Sequence, residues 1–264
     1  MPIMRVINLS SGSDGNLTYI EGEHSRILVD MGLSCKDATE KLKLIGVDGE
    51  SIDAIVVTHE HSDHIKGINV FSKKFHTPVY AHEEVWKSGL CDKLTVQERD
   101  RKVFDDDFAI NDLIIHPVEV PHDVKCFGLS VSDGDKKIGI LTDLGHTNEE
   151  IFRAVKGCTL VYLEANHDLN MLKNCPKYPL SLKMRIGGAN GHLSNDASAD
   201  FAERLILTGT RQIVLSHLSK ETNAPEIAFN YISSKLSQRG LVEGESFKID
   251  VALTRPTTMF RLKK

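Results

Sequence analysis

The stretch Asp53-Ala-Ile-Val-Val-Thr-His-Glu-His-Ser-Asp-His64 decides the reading of this chain. Its first half, through Thr58, is an apolar run of the length and composition of a buried strand. Four potential metal ligands, His59, His61, Asp63 and His64, follow within six residues. Imidazole and carboxylate together suit zinc or manganese, and iron as well; two ions need more ligands than one short loop supplies. A histidine-rich solvated loop is the plain alternative, but the spacing H-x-H-x-D-H directly behind a strand favours a metal site. Residues two apart on an extended turn point the same way, so His59 and His61 can share one ion. Asp63 and His64 stand where the chain turns into a helix expected over Ile65–Phe75, and can reach a second.

Composition bounds the rest. With 264 residues, 41% hydrophobic and 26% charged, the chain can bury a full core. It has no apolar stretch of about 18 residues, so no membrane span is expected. The beginning, Met-Pro-Ile-Met-Arg-Val-Ile-Asn-Leu, reads as a strand and not as a signal peptide. Five scattered cysteines without a C-x-x-C pair imply reduced thiols and a cytoplasmic setting. A net charge of −5 gives no global pull toward nucleic acid, so such a partner needs a local basic surface. Oligomeric state is not legible.

Strands are expected at Met4–Leu9, Leu17–Glu21 and Arg26–Asp30. Between the first two lies Ser10-Ser-Gly-Ser-Asp-Gly-Asn16. Two readings stand for it: a hairpin loop, or a cradle in which Ser11, Asn16 and backbone N–H groups meet an anionic substrate. Asp30, at a strand end, can orient the metal loop from behind. Ser34 caps a helix to about Gly46, and Pro78–Ala81 is a strand before a short helix at Glu83–Ser88. Cys91–Val103 resists assignment, and Asp105–Asp107 reads as a solvated turn without a histidine nearby in sequence. Strands Leu113–Val120, Phe127–Ser132 and Lys137–Thr142 follow, the last two joined by Asp133-Gly134-Asp135. Later come a helix from Asn148, strand Thr159–Leu163, helical Lys177–Ile186, a helix over Ser194–Thr208 capped by Ser194 or Asn195, strand Gln212–Ser216, helix Pro225–Arg239, and closing strands Phe247–Leu253 and Met259–Leu262. Two half-chains of strands first and helices after predict an α/β (α+β) fold: one domain over residues 1–264, a four-layer αββα sandwich.

The His59–His64 motif resembles that of the metallo-β-lactamase superfamily. That resemblance calls for three more ligands, and His122, Asp143 and His217 each close a predicted strand. By it, His59, His61 and His122 hold one ion, Asp63, His64 and His217 hold a second, and Asp143 bridges them. A hydroxide held between two cations forms near neutral pH, which describes a hydrolase without fixing the bond.

Glu164-Ala-Asn-His-Asp168 and Gly191-His-Leu-Ser-Asn195, with Ser216-His217, resemble the second half of ribonuclease Z-like phosphodiesterases. There a Glu and a His act in proton transfer beside the metals, and Glu164 and His192 match them, with Asp63 in the catalytic set. Together with Ser-Gly-Ser-x-Gly-Asn and Leu-Val-Asp-x-Gly-Leu-Ser, these motifs resemble the YycJ/WalJ group along nearly the whole chain. Membership implies a cytoplasmic, metal-dependent DNA exonuclease acting 5′ to 3′. About 74 residues separate Asp143 from His217, too few for the cap domain of β-CASP nucleases. Leu169–Asn190 carries Lys173, Lys177, Lys183 and Arg185 with no acidic residue. It reads as a phosphate track or as a solvated surface. His167, Ser194 and Asn195 are further candidates for substrate contact. A thioesterase, lactonase or β-lactamase explains the ligands equally well but leaves Glu164 and His192 without a task; a metal-stabilised scaffold without turnover leaves the same pair unexplained.

Overall fold

A computed structural model describes residues 4–87, 96–245 and 247–252, and the backbone of 258–261. Cys91 and much of the unassigned stretch after it, and Ser88, Leu253 and Leu262 at the ends of expected elements, lie outside the described residues. The chain divides into two compact units, residues 1–116 with 132–136 and 253–264, and residues 117–131 with 137–252.

The first unit is built on a seven-stranded sheet. Its strands are β1 (Arg5–Ser10), β2 (Leu17–Glu21), β3 (Arg26–Val29), β4 (Ala54–Val56), β5 (Val79–His82), β6 (Arg101–Phe104) and β14 (Thr258–Arg261), in the order β14-β1-β2-β3-β4-β5-β6. Pairing is antiparallel from β14 to β3 and parallel from β3 to β6. The parallel strands are fully buried at β4, where Ala-Ile-Val has no polar face to offer. Helix α1 (Cys35–Leu44) starts where Ser34 Oγ accepts the Asp37 N–H at 3.2 Å. Next come α2 (Ser62–Ile65), α3 (Ile68–Phe75) and the single turn α4 (Glu83–Val85).

The second sheet adds β7 (Phe108–Ile110), β8 (Leu113–Val120), β9 (Cys126–Ser132), β10 (Lys137–Leu141), β11 (Leu160–Glu164), β12 (Gln212–Ser216) and β13 (Lys248–Val251), in the order β13-β12-β11-β10-β9-β8-β7. The division between the units falls within β8. Strands β10 to β13 are parallel. Their connections carry α5 (Glu149–Val155), α6 (Leu169–Asn174), α7 (Leu180–Ile186), α8 (Asn195–Leu207) and α9 (Pro225–Gln238). Leu163, Leu215, Phe201, Leu205 and Ile232 join in one apolar core that fixes the ends of β11 and β12. Among the described residues, no helix is long and apolar enough to cross a membrane, and Cys35, Cys126, Cys158 and Cys175 are buried and form no disulfide.

Three differences from the sequence expectation have plain causes. The helix expected over Ile65–Phe75 is two helices, because the chain between them is tied across to β3's exit: Gly67 N–H donates to Met31 O at 2.9 Å, and a Cβ on Gly67 would lie 2.2 Å from Leu33 O. Helix α6 starts where Asp168 Oδ1 accepts the N–H groups of Asn170 and Met171, both at 2.9 Å. Asp105–Asp107 is exposed as expected but has histidine neighbours brought by the fold: His116 Nδ1 meets Asp107, and His82 Nε2 lies 3.6 Å from Asp105.

Candidate metal centre

Five described non-glycine residues have positive φ, and three of them stand at strand exits: Asp30 (58°) after β3, Asp143 (59°) after β10 and His217 (54°) after β12. The left-handed region costs a residue with a Cβ roughly 1–3 kcal/mol, so packing around these positions must over-determine them. In return the chain turns sharply at the sheet edge and sets each side chain at the end of its strand.

In the first unit, Asp30 organises the loop after β4. Its Oδ1 accepts Thr58 N–H at 2.8 Å, and its Oδ2 accepts both Thr58 Oγ1–H and His64 Nδ1–H at 2.8 Å. Thr58 Oγ1, its hydrogen spent on Asp30, faces His59 Nδ1 at 3.1 Å. One buried carboxylate therefore fixes two imidazoles, one directly and one through a hydroxyl. The ring of His59 lies 4.7 Å from that of His61 and 4.1 Å from that of His64, and His64 Nε2 is 3.6 Å from Asp63 Oδ2.

The Ser10–Asn16 loop packs onto this arrangement. Asn16 N–H donates to Asp63 O at 2.8 Å, and Gly32 N–H to Asn16 O at 2.8 Å. Gly32 is required here: a Cβ would stand 1.6 Å from Asp63 O. Asn16 Oδ1 accepts Gly12 N–H at 2.9 Å, which turns its Nδ2 toward His64 Nε2, also at 2.9 Å. Asn16 thus touches a candidate ligand, and the loop buttresses the metal motif. Ser11 is buried in it.

In the second unit the organising carboxylate is Glu164, fully buried at the end of β11. Its Oε1 accepts from Nδ1 of His192 at 2.9 Å and from Nδ1 of His217 at 2.7 Å. Its Oε2 accepts the N–H groups of Leu144 and Leu193, both at 3.0 Å. Burial acts to raise its pKa, but the two histidines outweigh it and hold the carboxyl well below its usual range. Burial likewise acts to lower the pKa of His192, and Glu164, then Asp143, reverse this and raise it. Asp143 Oδ1 lies 3.3 Å from His217 Nδ1 and 3.6 Å from His192 Nδ1, and one ligand atom from each of these four residues falls within 4.8 Å of the others. His122 Nδ1 is 3.2 Å from Gly191 O, and its ring lies 5.3 Å from that of His192. Gly191 can take no side chain, since a Cβ would be 2.1 Å from Arg185 O.

The other expected contacts divide. Ser194 caps α8, accepting Ala197 N–H at 3.2 Å. Asn195 is 1% exposed and exchanges amide hydrogen bonds with Asn223 at 2.8 and 3.2 Å, so it joins two buried segments. His167 is also 1% exposed, and burial brings its pKa down to about 4; it is a neutral interior ring. Lys177 pairs with Glu221 at 2.7 Å, Arg185 with Asp123 at 3.3 Å, and Lys183 donates to Lys173 O at 2.8 Å, leaving the Lys173 side chain exposed. Sequence reasoning missed Thr58 and the second bond of Glu164, to His217. The hydroxyl sits inside the quoted motif and was available to it; the bond joins residues 53 positions apart and was not.

The donor set fits divalent transition-metal ions. His59, His64, His122 and His217 each have Nδ1 facing an oxygen, of Thr58, Asp30, Gly191 and Glu164 in turn. Such a contact fixes the tautomer that gives Nε2 its lone pair, as in metal-binding histidines; here Asn16 Nδ2 meets that atom of His64 at 2.9 Å, and Asp123 Oδ1 lies 3.3 Å from it in His122. The pattern is that of a metallo-hydrolase. The family model of the metallo-beta-lactamase superfamily matches residues 11–217, and the chain belongs to that superfamily. Among its relatives, Exodeoxyribonuclease YycJ of Bacillus anthracis is 33% identical over 244 residues, 91% of this chain and 92% of its own. Exodeoxyribonuclease WalJ of Streptococcus pneumoniae is 36% identical over 247 residues, 91% of each. Of solved structures, the metallo-beta-lactamase fold protein YhfI from Bacillus subtilis superposes with a TM-score of 0.73 at 17% identity, covering 98% of this chain and 100% of that one. The short form of human tRNase Z gives 0.63 at 15%, covering 97% and 98%. Both share the fold.

Proposed function

We propose that this metallo-hydrolase is a dinuclear phosphodiesterase that degrades DNA from the 5′ end. The observation that carries the reading is Glu164 Oε1 shared between His192 and His217. It gives one histidine a proton to deliver beside another suited to hold metal. The relatives named exodeoxyribonuclease support DNA as the substrate. His59, His61 and His122 would hold one zinc or manganese ion, and Asp63, His64 and His217 a second, with Asp143 shared; iron would suit the same donors. When bound, the ions supply Lewis acidity to phosphoryl oxygens and lower the pKa of water toward about 7.

The chain's own part is positional and protonic. Glu164 stays ionised, holds Nδ1–H of His192 and, with Asp143, raises that ring's pKa against its burial, favouring the imidazolium, whose second proton sits on Nε2 and is the transferable one. As water attacks phosphorus and the P–O3′ bond breaks, His192 Nε2 gives its proton to the departing 3′-oxygen, a step worth roughly 10²–10⁴-fold. Lys173, Lys177, Lys183 and Arg185 meet the backbone phosphates of the strand. The partners of Lys177 and Arg185 are exposed, and such pairs are worth only about 0–1 kcal/mol, so phosphate can replace them. We place the enzyme in the cytoplasm on its five scattered cysteines, an odd count without a C-x-x-C pair.

The test is linear DNA labelled at the 5′ or the 3′ end, beside closed circles and RNA, with manganese or zinc. Early release of 5′ label as mononucleotide, with circles spared, is expected. No cleavage of DNA with either metal, together with efficient hydrolysis of a thioester or lactone, would move the protein to the carboxyl-bond hydrolases.

A further inference from the structure

Helix α7 presents an apolar face that the proton-transfer machinery does not use. Leu180 is 73% exposed and Met184 68%, and four residues apart they lie on one side of the helix. Most large aliphatic side chains in the second unit are buried in its core. The segment that carries the face, residues 169–190, has cations and no acidic residue of its own: Lys183 lies between the two in sequence, Arg185 follows and pairs with Asp123 from another loop, and Lys173 precedes on α6, its carbonyl accepting the Lys183 ammonium at 2.8 Å.

Its position is coupled to the site. The helix ends at Ile186, whose carbonyl accepts His192 N–H at 2.8 Å, and Gly191 packs against the carbonyls of Arg185 and Ile186. At about 1.5 Å rise per residue, Leu180 stands roughly 9 Å along the axis from the residue that anchors His192. Arg185 reaches Asp123, next to His122. A partner here must offer apolar surface and negative charge together, within one or two nucleotide lengths of the leaving group. Unstacked bases on their phosphate backbone have both.

We propose that Leu180 and Met184 form the contact for nucleobases of the strand being cut, with Lys173 and Lys183 on its phosphates. The inference rests on the phosphodiesterase reading and adds to it: the enzyme grips bases as well as backbone, independently of their sequence, because aliphatic contact reads no hydrogen-bond pattern. It predicts that an abasic end is a poorer ligand than an intact one.

The experiment measures binding of fluorescent single-stranded DNA by anisotropy, on the full chain carrying His192→Ala to suppress turnover. Probes are an intact oligonucleotide and one abasic over its first three 5′ nucleotides. Intact DNA should bind about tenfold tighter, and Leu180→Ser with Met184→Ser should erase that preference while shifting affinity for the abasic probe less than about twofold. Leu180→Ile with Met184→Leu should restore it, and melting temperatures should agree across the three. Equal affinity for both probes in the parent, or a preference untouched by the double Ser variant, overturns the inference while leaving DNA cleavage intact. A dimer by sedimentation that the Ser variant dissociates assigns the face to a second copy and overturns it too. Failure of the parent protein to cut or bind any DNA removes the phosphodiesterase reading and this inference together.

Discussion

The two ligand-bearing regions solve one problem in different ways. In the first, the candidate ligands fall within six residues, His59 to His64, and a single carboxylate, Asp30, fixes two of them, His59 through Thr58 and His64 directly. In the second the three, His122, Asp143 and His217, come from separate strand exits, and Glu164 holds His217 directly and the loop after Asp143 through Leu144 N–H. Asp30 serves only rings expected to hold metal. Glu164 serves one such ring, His217, and one ring proposed to move a proton, His192. The difference predicts that the carboxylates are not equivalent: loss of Asp30 should read out as metal affinity, and loss of Glu164 as affinity and chemistry at once.

The largest effect is therefore expected from Glu164→Gln. The amide keeps the shape but presents less acceptor charge to two Nδ1–H donors and two backbone N–H groups. Turnover on DNA should fall by 10²–10⁴-fold or more, and binding of manganese followed by calorimetry should weaken as well. His192→Ala should match the loss of turnover but not the loss of metal. If Glu164→Gln leaves metal binding at the parental value, the carboxylate supports His192 alone and the contrast with Asp30 fails.

Asp30→Asn should have the intermediate effect. Partners behind metal-ligating histidines typically contribute 10–100-fold in affinity, so that loss is expected for the ion held by His64. At saturating metal, turnover should recover to within a few-fold, because the hydrogen bonds of Asp30 go to Thr58 and His64 and those of the proposed proton donor to Glu164. A loss of turnover that saturating metal does not restore would mean that Asp30 has a part in the chemistry, and the two regions would then be alike.

The same contrast explains what the amino-acid sequence discloses. The first region is legible because its ligands are neighbours: H-x-H-x-D-H behind Ala54–Val57 needs only strand geometry to interpret. Asp143, His122 and His217 are each an ordinary strand-end residue until a family resemblance joins them. Short elements also escape, as β7, at three residues, is too brief to show a period. Helix α6 is signalled in sequence by Asp168, an ordinary N-cap, but Leu-Asn-Met-Leu-Lys-Asn is too short to show a helical period of its own. Asn195 and His167 both flank motif residues, and nothing local in sequence announces that the fold buries one in an amide pair and the other as an interior imidazole. The backbone strain at Asp30, Asp143 and His217 has no sequence signal beyond aspartate's tolerance of left-handed φ.

The smallest effect, and the one that probes Glu164 without changing the metal loop, is on stability in acid. Glu164 has a folded pKa below its unfolded value of about 4.5, despite its burial, because His192 and His217 favour the carboxylate. A depressed carboxyl stabilises the fold above its unfolded pKa, and that contribution is lost as pH falls through the folded one. With metal removed by chelator, His167, kept neutral by burial down to about pH 4, should cost parent and variants alike some stability as pH falls below about 6.5, and the parent should show a further drop below about pH 4.5 from Glu164. Glu164→Gln, which has no proton to gain there, should melt lower at neutral pH and lose less on acidification. For a chain of this size each kcal/mol moves the midpoint by about 2–4 °C, so the two curves should converge by several degrees at the acid end. Asp30→Asn supplies the control, because it leaves Glu164 and its two histidines in place. Its curve should keep the parental drop below pH 4.5. Parallel curves for Glu164→Gln and the parent would show that the carboxyl titrates as freely in the fold as in the unfolded chain. Its hold on His192 and His217 would then be too weak to gather the second region.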